Sequence, residues 1–551
     1  MKKILFVILL AAFLIRIAGV TYGLPLRLVG DESPYVVAAL KMIEEKTLWP
    51  RTHYAEFQKI LYFPPFIAYV YVAPFLAVLA AKLIFFRGGL SDFSRFIISD
   101  PSSLFITARV INVLFGVLTV WLIYKIAKNV FRKEAIALLS STFLALSLLH
   151  INLSFLGRDW VINVFIFSLV LYWLSRPGVN RTKKYVQASL IAGLGFGVHL
   201  LAAFAALFIG LWYFFDQETS WKNFFKNKIP YLSSGIFGLL ALMGYLIYPF
   251  GYLLGNSTAH QTKTFLGALK MQGAFWNSLA HSEPVLFLFL VIGNGFLFLN
   301  LKKYFWMWLI FINGYISVFY FIFYYQNRFA LYLYPLFALI AGYGLYNLWL
   351  KMRNKNRRLI AILGGAGFVL MLAGAIKLDF LILKNDTRLQ ARQWIEANLP
   401  EQTKIIVASP LTRLAATPEA IKEQEKIQAS SLRQTDLMER DFTTPKSFHA
   451  LNLYTITEQE SSLFYENIEE YVKNNRYQYI FLGQEHFSSN SKKEKAWQTL
   501  GQMGTPLKIF KGSENDGFDF TSGAFGNISD FFKLKNPGPN TFIISLKKQA
   551  L

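Results

Sequence analysis

Between Ile4 and Phe380 the chain returns repeatedly to long apolar runs, and no other feature restricts its fold as much. A hydrocarbon core about 30 Å thick is crossed by about 20 helical residues. A chain built from such runs forms a helical membrane bundle, because a water-soluble globule needs polar faces that these runs lack. Composition agrees, with 54% of residues apolar, 17% aromatic and 16% charged. The runs lie near 4–20, 62–86, 103–126, 134–153, 160–175, 186–215, 229–249, 285–300, 304–324, 329–350 and 358–381. The run at 186–215 is long enough for two short spans meeting near His199.

A net charge of +23 would suggest a nucleic-acid partner in a soluble protein, so its location matters. From Lys384 onward there are 21 basic and 20 acidic residues, against 35 and 13 upstream. The excess belongs to the membrane half and clusters in short loops, which encodes orientation in a bilayer. No basic stripe interleaved with stacking aromatics is present, so no nucleic-acid partner is expected. Ile4–Val20 follows Lys2-Lys3 and has small residues at Ala18-Gly19-Val20, as a signal peptide would. Arg16 interrupts its apolar region and many spans follow, so it reads as a first anchor with a cytoplasmic amino terminus. Strict alternation through every run would place Lys125, Lys128, Arg132 and Lys133 outside. If Tyr62–Phe86 lies along or dips into the outer leaflet without a net crossing, these loops move inside, and Pro64-Pro65 disfavours a regular helical entry there. The reading is a multi-pass inner-membrane protein with roughly 11 crossings, a cytoplasmic amino terminus and an extracytoplasmic carboxyl terminus.

The expected division is a membrane domain over 1–383 and a soluble extracytoplasmic α/β domain over 384–551. The first outer loop, 23–102, carries juxtamembrane helices, and a second large outer loop covers 250–284. In the tail, Asp386–Asn398 has a capping residue and helical spacing, Leu399-Pro400 stops it, and Lys404–Ala408 begins a β-branched strand. Tyr477–Leu482 and Thr541–Leu546 are further strand candidates, while Lys422–Glu470 is helical or loosely ordered. The absence of cysteine excludes disulfides and thiolate catalysis.

Acidic residues are scarce in the membrane half, which makes those at span ends informative. Asp31-Glu32 follows the first span, and the charge-derived topology brings Arg158-Asp159 to the same surface. Two acidic groups facing one cavity suit a hydroxyl-activating reaction, one accepting the proton and the other orienting a substrate. Equally, Asp31 suits an N-cap for the amphipathic run Ser33–Glu45, and Arg158 and Asp159 suit an ion pair with each other. His150, His199, His260 and His281 lack the close spacing of a helical metal site. Asp31, Glu32 and Asp159 offer oxygen ligands for a hard divalent cation, although none is favoured. The second outer loop carries Thr258, His260, Thr262, Lys263 and Trp276 around an amphipathic helix at Phe265–Leu279, suited either to closing over a ligand or to packing on the bundle. No nucleophile elbow or phosphate loop is found in the tail.

The order of short motifs resembles the GT-C membrane glycosyltransferases, in particular the protein O-mannosyltransferase and lipid A aminoarabinose transferase group. It is carried by Asp31-Glu32-Ser33-Pro34-Tyr35, Trp49-Pro50, Tyr62-Phe63-Pro64-Pro65, Ala108-Arg109-Val110, Gly157-Arg158-Asp159, and Asn327-Arg328 leading into Tyr332–Pro335. In the tail, Asp386-Thr387-Arg388 with Trp394-Ile395, and the late Pro537-Gly538-Pro539, resemble the outer domain of prokaryotic members. The resemblance implies a GT-C-like fold and an inverting transfer of a monosaccharide from a polyprenyl-phosphate donor to an acceptor hydroxyl on a protein, glycolipid or cell-wall glycan. It implies Asp31 as general base, Glu32 as its neighbour and Asp159 as the second acidic position. Arg158, Arg328 and Lys59 are the outer-face cations for the lipid phosphate, and Tyr35, Tyr62 and His199 the substrate-binding candidates. Phe63 stands where the aminoarabinose transferases have Lys before the paired prolines, which weakens Lys59. Members of this group work without a metal, whereas oligosaccharyltransferases use one. A transporter or flippase of lipid-linked glycan would use the same residue types at mid-span rather than at span ends. An oligosaccharyltransferase or polymer ligase would keep the chemistry and change the donor.

Overall fold

The computed structural model describes residues 2–57, 65–216, 226–247, 264–322, 327–352, 354–409, 412–432, 446–484, 491–512, 518–520 and 524–546. The membrane half is helical. Its elements are α1 (Lys2–Ile17), α2 (Ser33–Glu44), α3 (Tyr54–Phe57), α4 (Phe66–Phe85), α5 (Leu90–Ser99), α6 (Ser102–Phe131), α7 (Glu134–Ala145), α8 (Leu148–Ser154), α9 (Asp159–Ser175), α10 (Arg181–Phe196) and α11 (Ala202–Asp216). There follow α12 (Lys228–Ile247), α13 (Phe265–Ser282), α14 (Pro284–Asn300), α15 (Lys302–Ile322), a 3₁₀ segment (Asn327–Leu333), α16 (Tyr334–Lys351) and α17 (Asn354–Ile382). Among the described residues, four helical segments are long and apolar enough to cross a membrane, or five if α7 and α8 form one span. Shorter apolar helices, including α9, α11 and α14, complete a multi-pass bundle.

Two breaks shape one end of the bundle. α8 turns from α7 by 62°, and this bend exposes carbonyls that a helix would otherwise use. Arg16 answers it from α1: its guanidinium donates to Ala145 O at 3.0 Å and Leu144 O at 3.3 Å, and reaches His150 Nδ1 at 2.8 Å. The arginine that interrupts the first apolar run is thus fully buried and satisfies backbone that lipid could not. His150 acts here as a hydrogen-bond acceptor. The second break separates α10 from α11 at 197–201, around His199, as the length of the 186–215 run predicts. Gly197 allows it, because a Cβ there would run into the Phe66 ring. The Phe66 amide also donates to Gly197 O at 3.1 Å, tying the start of α4 to the bundle.

α4 passes the length and hydropathy test for a span, yet its flanks return to one face. Arg109, near the start of α6, reaches the carbonyls of Val20 and Tyr22 just past the end of α1. A Cβ on Gly116, farther along α6, would lie 3.4 Å from Arg16, one turn back along α1. α1 and α6 are therefore antiparallel neighbours, and the loop between them begins and ends on the same side.

The tail folds around a five-stranded sheet of order β2-β1-β3-β7-β4, with β1 (Lys404–Ala408), β2 (His449–Asn452) and β3 (Tyr479–Gly483) parallel, and β7 (Thr541–Ser545) antiparallel to β3 and to β4 (Thr505–Phe510). A two-stranded antiparallel sheet of β5 (Phe518–Asp519) and β6 (Ala524–Phe525) is separate from it. α18 (Thr387–Asn398) starts at Asp386, whose carboxylate accepts Arg388 N at 2.9 Å, the cap expected from sequence. The polar stretch 422–470 contributes the end of α19 (Pro418–Ile427), strand β2, α20 (Ser462–Glu466) and α21 (Ile468–Asn474) within its described residues. β2 is a four-residue strand with no alternating pattern to announce it.

Candidate active site

Four segments meet at one end of the bundle: the turn after α1, the start of α6, the loop from α8 into α9, and the 3₁₀ segment before α16. The turn holds Asp31 in the left-handed region, with φ +58°, a conformation that a non-glycine residue holds only where its surroundings fix it. Glu32 rather than Asp31 takes the N-cap position of α2, and it makes no side-chain cap bond. Asp31 is therefore available to the solvent-facing side of the cluster, and its side chain is 52% exposed.

Glu32 turns inward. Its carboxylate receives Arg109 Nε and Nη2, both at 2.7 Å, and Gly157 N at 2.6 Å. Arg109 adds bonds to Val20 O at 2.9 Å and Tyr22 O at 2.7 Å, and both side chains are fully buried. A paired, hydrogen-bonded charge is the form in which ions survive burial. The amide of Asn112 completes this layer by donating to the carbonyls of Leu156 and Arg158 at 2.5 and 2.6 Å. Arg109 was legible in sequence as an ionisable residue opening an apolar span, but its partner was not; Asn112 carried no signal.

Above the brace, Arg158 Nη2 donates to Asp31 Oδ2 at 2.9 Å, and Arg328 Nη2 stands 3.9 Å from the same oxygen. Arg328 lies against Trp160 and Phe329, 5.5 and 5.6 Å from their ring centres, which fixes its planar group by cation–π contact. Asp159 begins α9, where the helix dipole favours a carboxylate, and its Oδ2 lies 3.4 Å from His199 Nε2. His199 Nδ1 accepts Leu201 N at 3.0 Å, so a neutral ring carries its proton on Nε2, toward Asp159. Burial holds His199 below the usual imidazole range, and it outweighs the Asp159 charge. The Tyr35 phenol, on α2, is pushed up by burial and then by Asp159, so it stays protonated as a donor.

The structure thus brings together Asp31, Arg158, Arg328, Asp159, His199 and Tyr35, with Glu32 directly beneath. Lys59 and Tyr62 lie outside the described residues, as do Thr258, His260, Thr262 and Lys263. Among the described residues no group of three His, Asp or Glu side chains is placed to hold a metal ion. The three carboxylates considered for one are directed elsewhere: Glu32 to Arg109, Asp31 to Arg158 and Asp159 to His199.

Asp31, Arg158, Asp159 and Arg328 all lie at helix ends rather than in mid-helix. Residues 102–248, from the start of α6 through α12, match the family model described as dolichyl-phosphate-mannose-protein mannosyltransferase. The matched segment, less than half of the chain, includes Arg109, Arg158, Asp159 and His199. No curated protein sequence matches the chain significantly. Among solved structures, ArnT from Cupriavidus metallidurans bound to undecaprenyl phosphate is 11% identical, with 100% of this chain and 98% of that one covered and a TM-score of 0.45. The oligosaccharyltransferase of Archaeoglobus fulgidus in the apo form is 14% identical, with 92% and 72% covered and a TM-score of 0.45. The arabinofuranosyltransferase AftD from Mycobacteria is 12% identical, with 100% and 40% covered and a TM-score of 0.46.

Proposed function

We propose that the chain moves a monosaccharide, with inversion, from a polyprenyl-phosphate donor to an acceptor hydroxyl at the outer face of a prokaryotic cytoplasmic membrane. The observation that carries this reading is Asp31 set between two guanidinium groups, Arg158 at 2.9 Å and Arg328 at 3.9 Å, on a half-exposed turn. One carboxylate against two arginines leaves room for a second anion, and a planar fork suits a phosphate. A lipid phosphate entering here would take over the arginines and release Asp31 toward the acceptor. Asp31 then removes the acceptor's proton as that oxygen bonds to the anomeric carbon. The carbon–oxygen bond to phosphate breaks, and its electron pair leaves with the lipid phosphate, whose charge Arg158 and Arg328 stabilise.

The remaining residues support this step. Glu32 and Arg109 position the loop, while Asp159, His199 and Tyr35 form a polar wall, one acceptor and two donors, for the sugar or acceptor. The reading needs no metal or cofactor for this step. The name of the family matched over 102–248 favours a polyprenyl-phosphate donor. Basic inner loops favour a cytoplasmic amino terminus and an outer tail.

The test is release of polyprenyl phosphate by protein in lipid nanodiscs, offered a panel of polyprenyl-phosphate monosaccharides with membrane extract as acceptor. Donor-dependent release that survives chelation and disappears in a folded Asp31→Asn variant is expected. No release from any donor, together with movement of labelled lipid-linked glycan between leaflets, would replace the transferase reading with a transporter.

A further inference from the structure

We propose that the carboxyl-terminal domain is a working part of the site, and that Tyr22 is the positioning residue through which its docking reaches Asp31. The inference rests on the transferase reading above and extends it to a domain that carries no catalytic signature of its own.

Tyr22 sits in the turn after α1 and faces two ways. Its phenol donates to Asp386 Oδ2 at 3.0 Å, while its carbonyl accepts Arg109 Nη1 at 2.7 Å. Asp386 is itself immobilised: Oδ1 accepts Arg388 N and Nε, and Oδ2 accepts Arg388 Nη2, all at 2.9 Å. The Pro537-Gly538-Pro539 motif completes the seat. Gly538 has φ +87°, and a Cβ there would come within 2.5 Å of Asp386 Oδ1, so glycine is required on both counts. Thr387 holds the motif through Thr387 Oγ1 to Pro539 O at 2.6 Å.

A second contact converges on the same site. Phe520, directly after β5 in the tail, stands edge-on to Tyr22 at 6.4 Å, and its carbonyl accepts Asn152 Nδ2 of α8 at 2.9 Å. β6 packs against the 3₁₀ segment that carries Arg328. Phe520 and Phe531 belong to the apolar core shared with α1 and α8 rather than to the cores around the tail's sheet. The tail therefore grips the turn before Asp31, the helix before Arg158 and the segment of Arg328. A chain of bonds runs Asp386–Tyr22–Arg109–Glu32, ending beside Asp31, whose left-handed backbone depends on outside support.

Tyr22→Phe keeps the ring and its contact with Phe520 while removing the bond to Asp386. Losing a hydrogen bond to a carboxylate corresponds to about a 10-fold effect. The expected result is a turnover number lowered about 10-fold, a donor KM within about twofold of wild type, and faster amide exchange over residues 18–32. Combined with Arg109→Lys, the losses should fall short of multiplying, because both act on one chain of contacts. Lys384→Met removes a bond where the tail leaves α17, Lys384 Nζ to Lys535 O at 2.8 Å, and should leave turnover within about twofold. Wild-type turnover and exchange in Tyr22→Phe would overturn the proposal, and so would an equal loss in Lys384→Met. If the wild type releases no lipid phosphate from any donor, the transferase reading fails. The exchange comparison on the same proteins still decides whether Tyr22 couples the tail to the turn.

Discussion

Asp31 and Glu32 are consecutive carboxylates at one membrane face, and the fold gives them opposite surroundings. Asp31 is half exposed, on a left-handed turn, with Arg158 and Arg328 on one oxygen. Glu32 is completely buried, with both oxygens taken by Arg109 and one also by Gly157 N. A carboxylate whose acceptor sites are filled by rigid partners has nothing left to offer a substrate. One that shares an oxygen with exchangeable cations can give it up to a phosphate. Satisfaction of hydrogen-bonding capacity, more than residue type, separates the brace from the proposed base.

The contrast can be broken in stages. The largest expected effect is Asp31→Asn, which should lower turnover by about 10²- to 10⁴-fold, the range of a lost general base. Its thermal unfolding in nanodiscs should stay closer to wild type than that of the brace variant below, because Asp31 is half exposed and the amide oxygen of Asn can still accept from the buried Arg158. A large stability loss instead would place Asp31 with the brace. Next, Arg109→Met leaves the buried Glu32 unpaired and should destabilise the protein by about 3–5 kcal/mol. Unchanged resistance to denaturation would mean that the pair does not hold the loop.

A smaller effect is expected from Gly157→Ala. The added Cβ would sit 2.8 Å from Glu32 Oε1 and 3.2 Å from Ala108 Cβ, so the brace must shift at a cost of about 1–3 kcal/mol. Loss of activity without that destabilisation would point to a direct role of the 157–159 loop in substrate binding.

The smallest effect concerns a third carboxylate, remote from the site. In the tail, burial alone would raise the Glu423 carboxyl, but hydrogen bonds from His449, Tyr471 and Tyr477 bring it down to about 2. A depressed folded value stabilises the domain above the unfolded carboxylate range, and that contribution is lost as pH falls from about 4.5 toward 2. Unfolding of the tail, followed by Tyr and Trp fluorescence, should therefore grow easier across that window, and Glu423→Gln should flatten the dependence. An unchanged slope would show that the cluster is not a source of acid sensitivity. Glu423 resembles Glu32 in being satisfied from within, although its neighbours, a histidine and two tyrosines, look catalytic in composition.

Much of this architecture is written locally. Apolar run lengths locate the spanning helices, the length of 186–215 anticipates the break at His199, and Asp386 marks its helix start. The uneven distribution of lysine and arginine anticipates that the stretch between α1 and α6 returns to one face. The motif order singles out Asp31, Arg158, Asp159 and Arg328. These signals survive in sequence because helix period, capping and loop charge act within a few residues of one another.

The tertiary structure alone decides which carboxylate is spent on packing. The Glu32–Arg109 pair joins residues 77 apart in sequence, Arg158 reaches Asp31 across 127, and Tyr22 reaches Asp386 across 364. No local pattern specifies such pairings, since each depends on how bent helices bring distant chain ends to one face. Sequence sets the helices, their faces and the inventory of charges at the span ends. Packing sets which of those charges are neutralised and which remain open to a substrate.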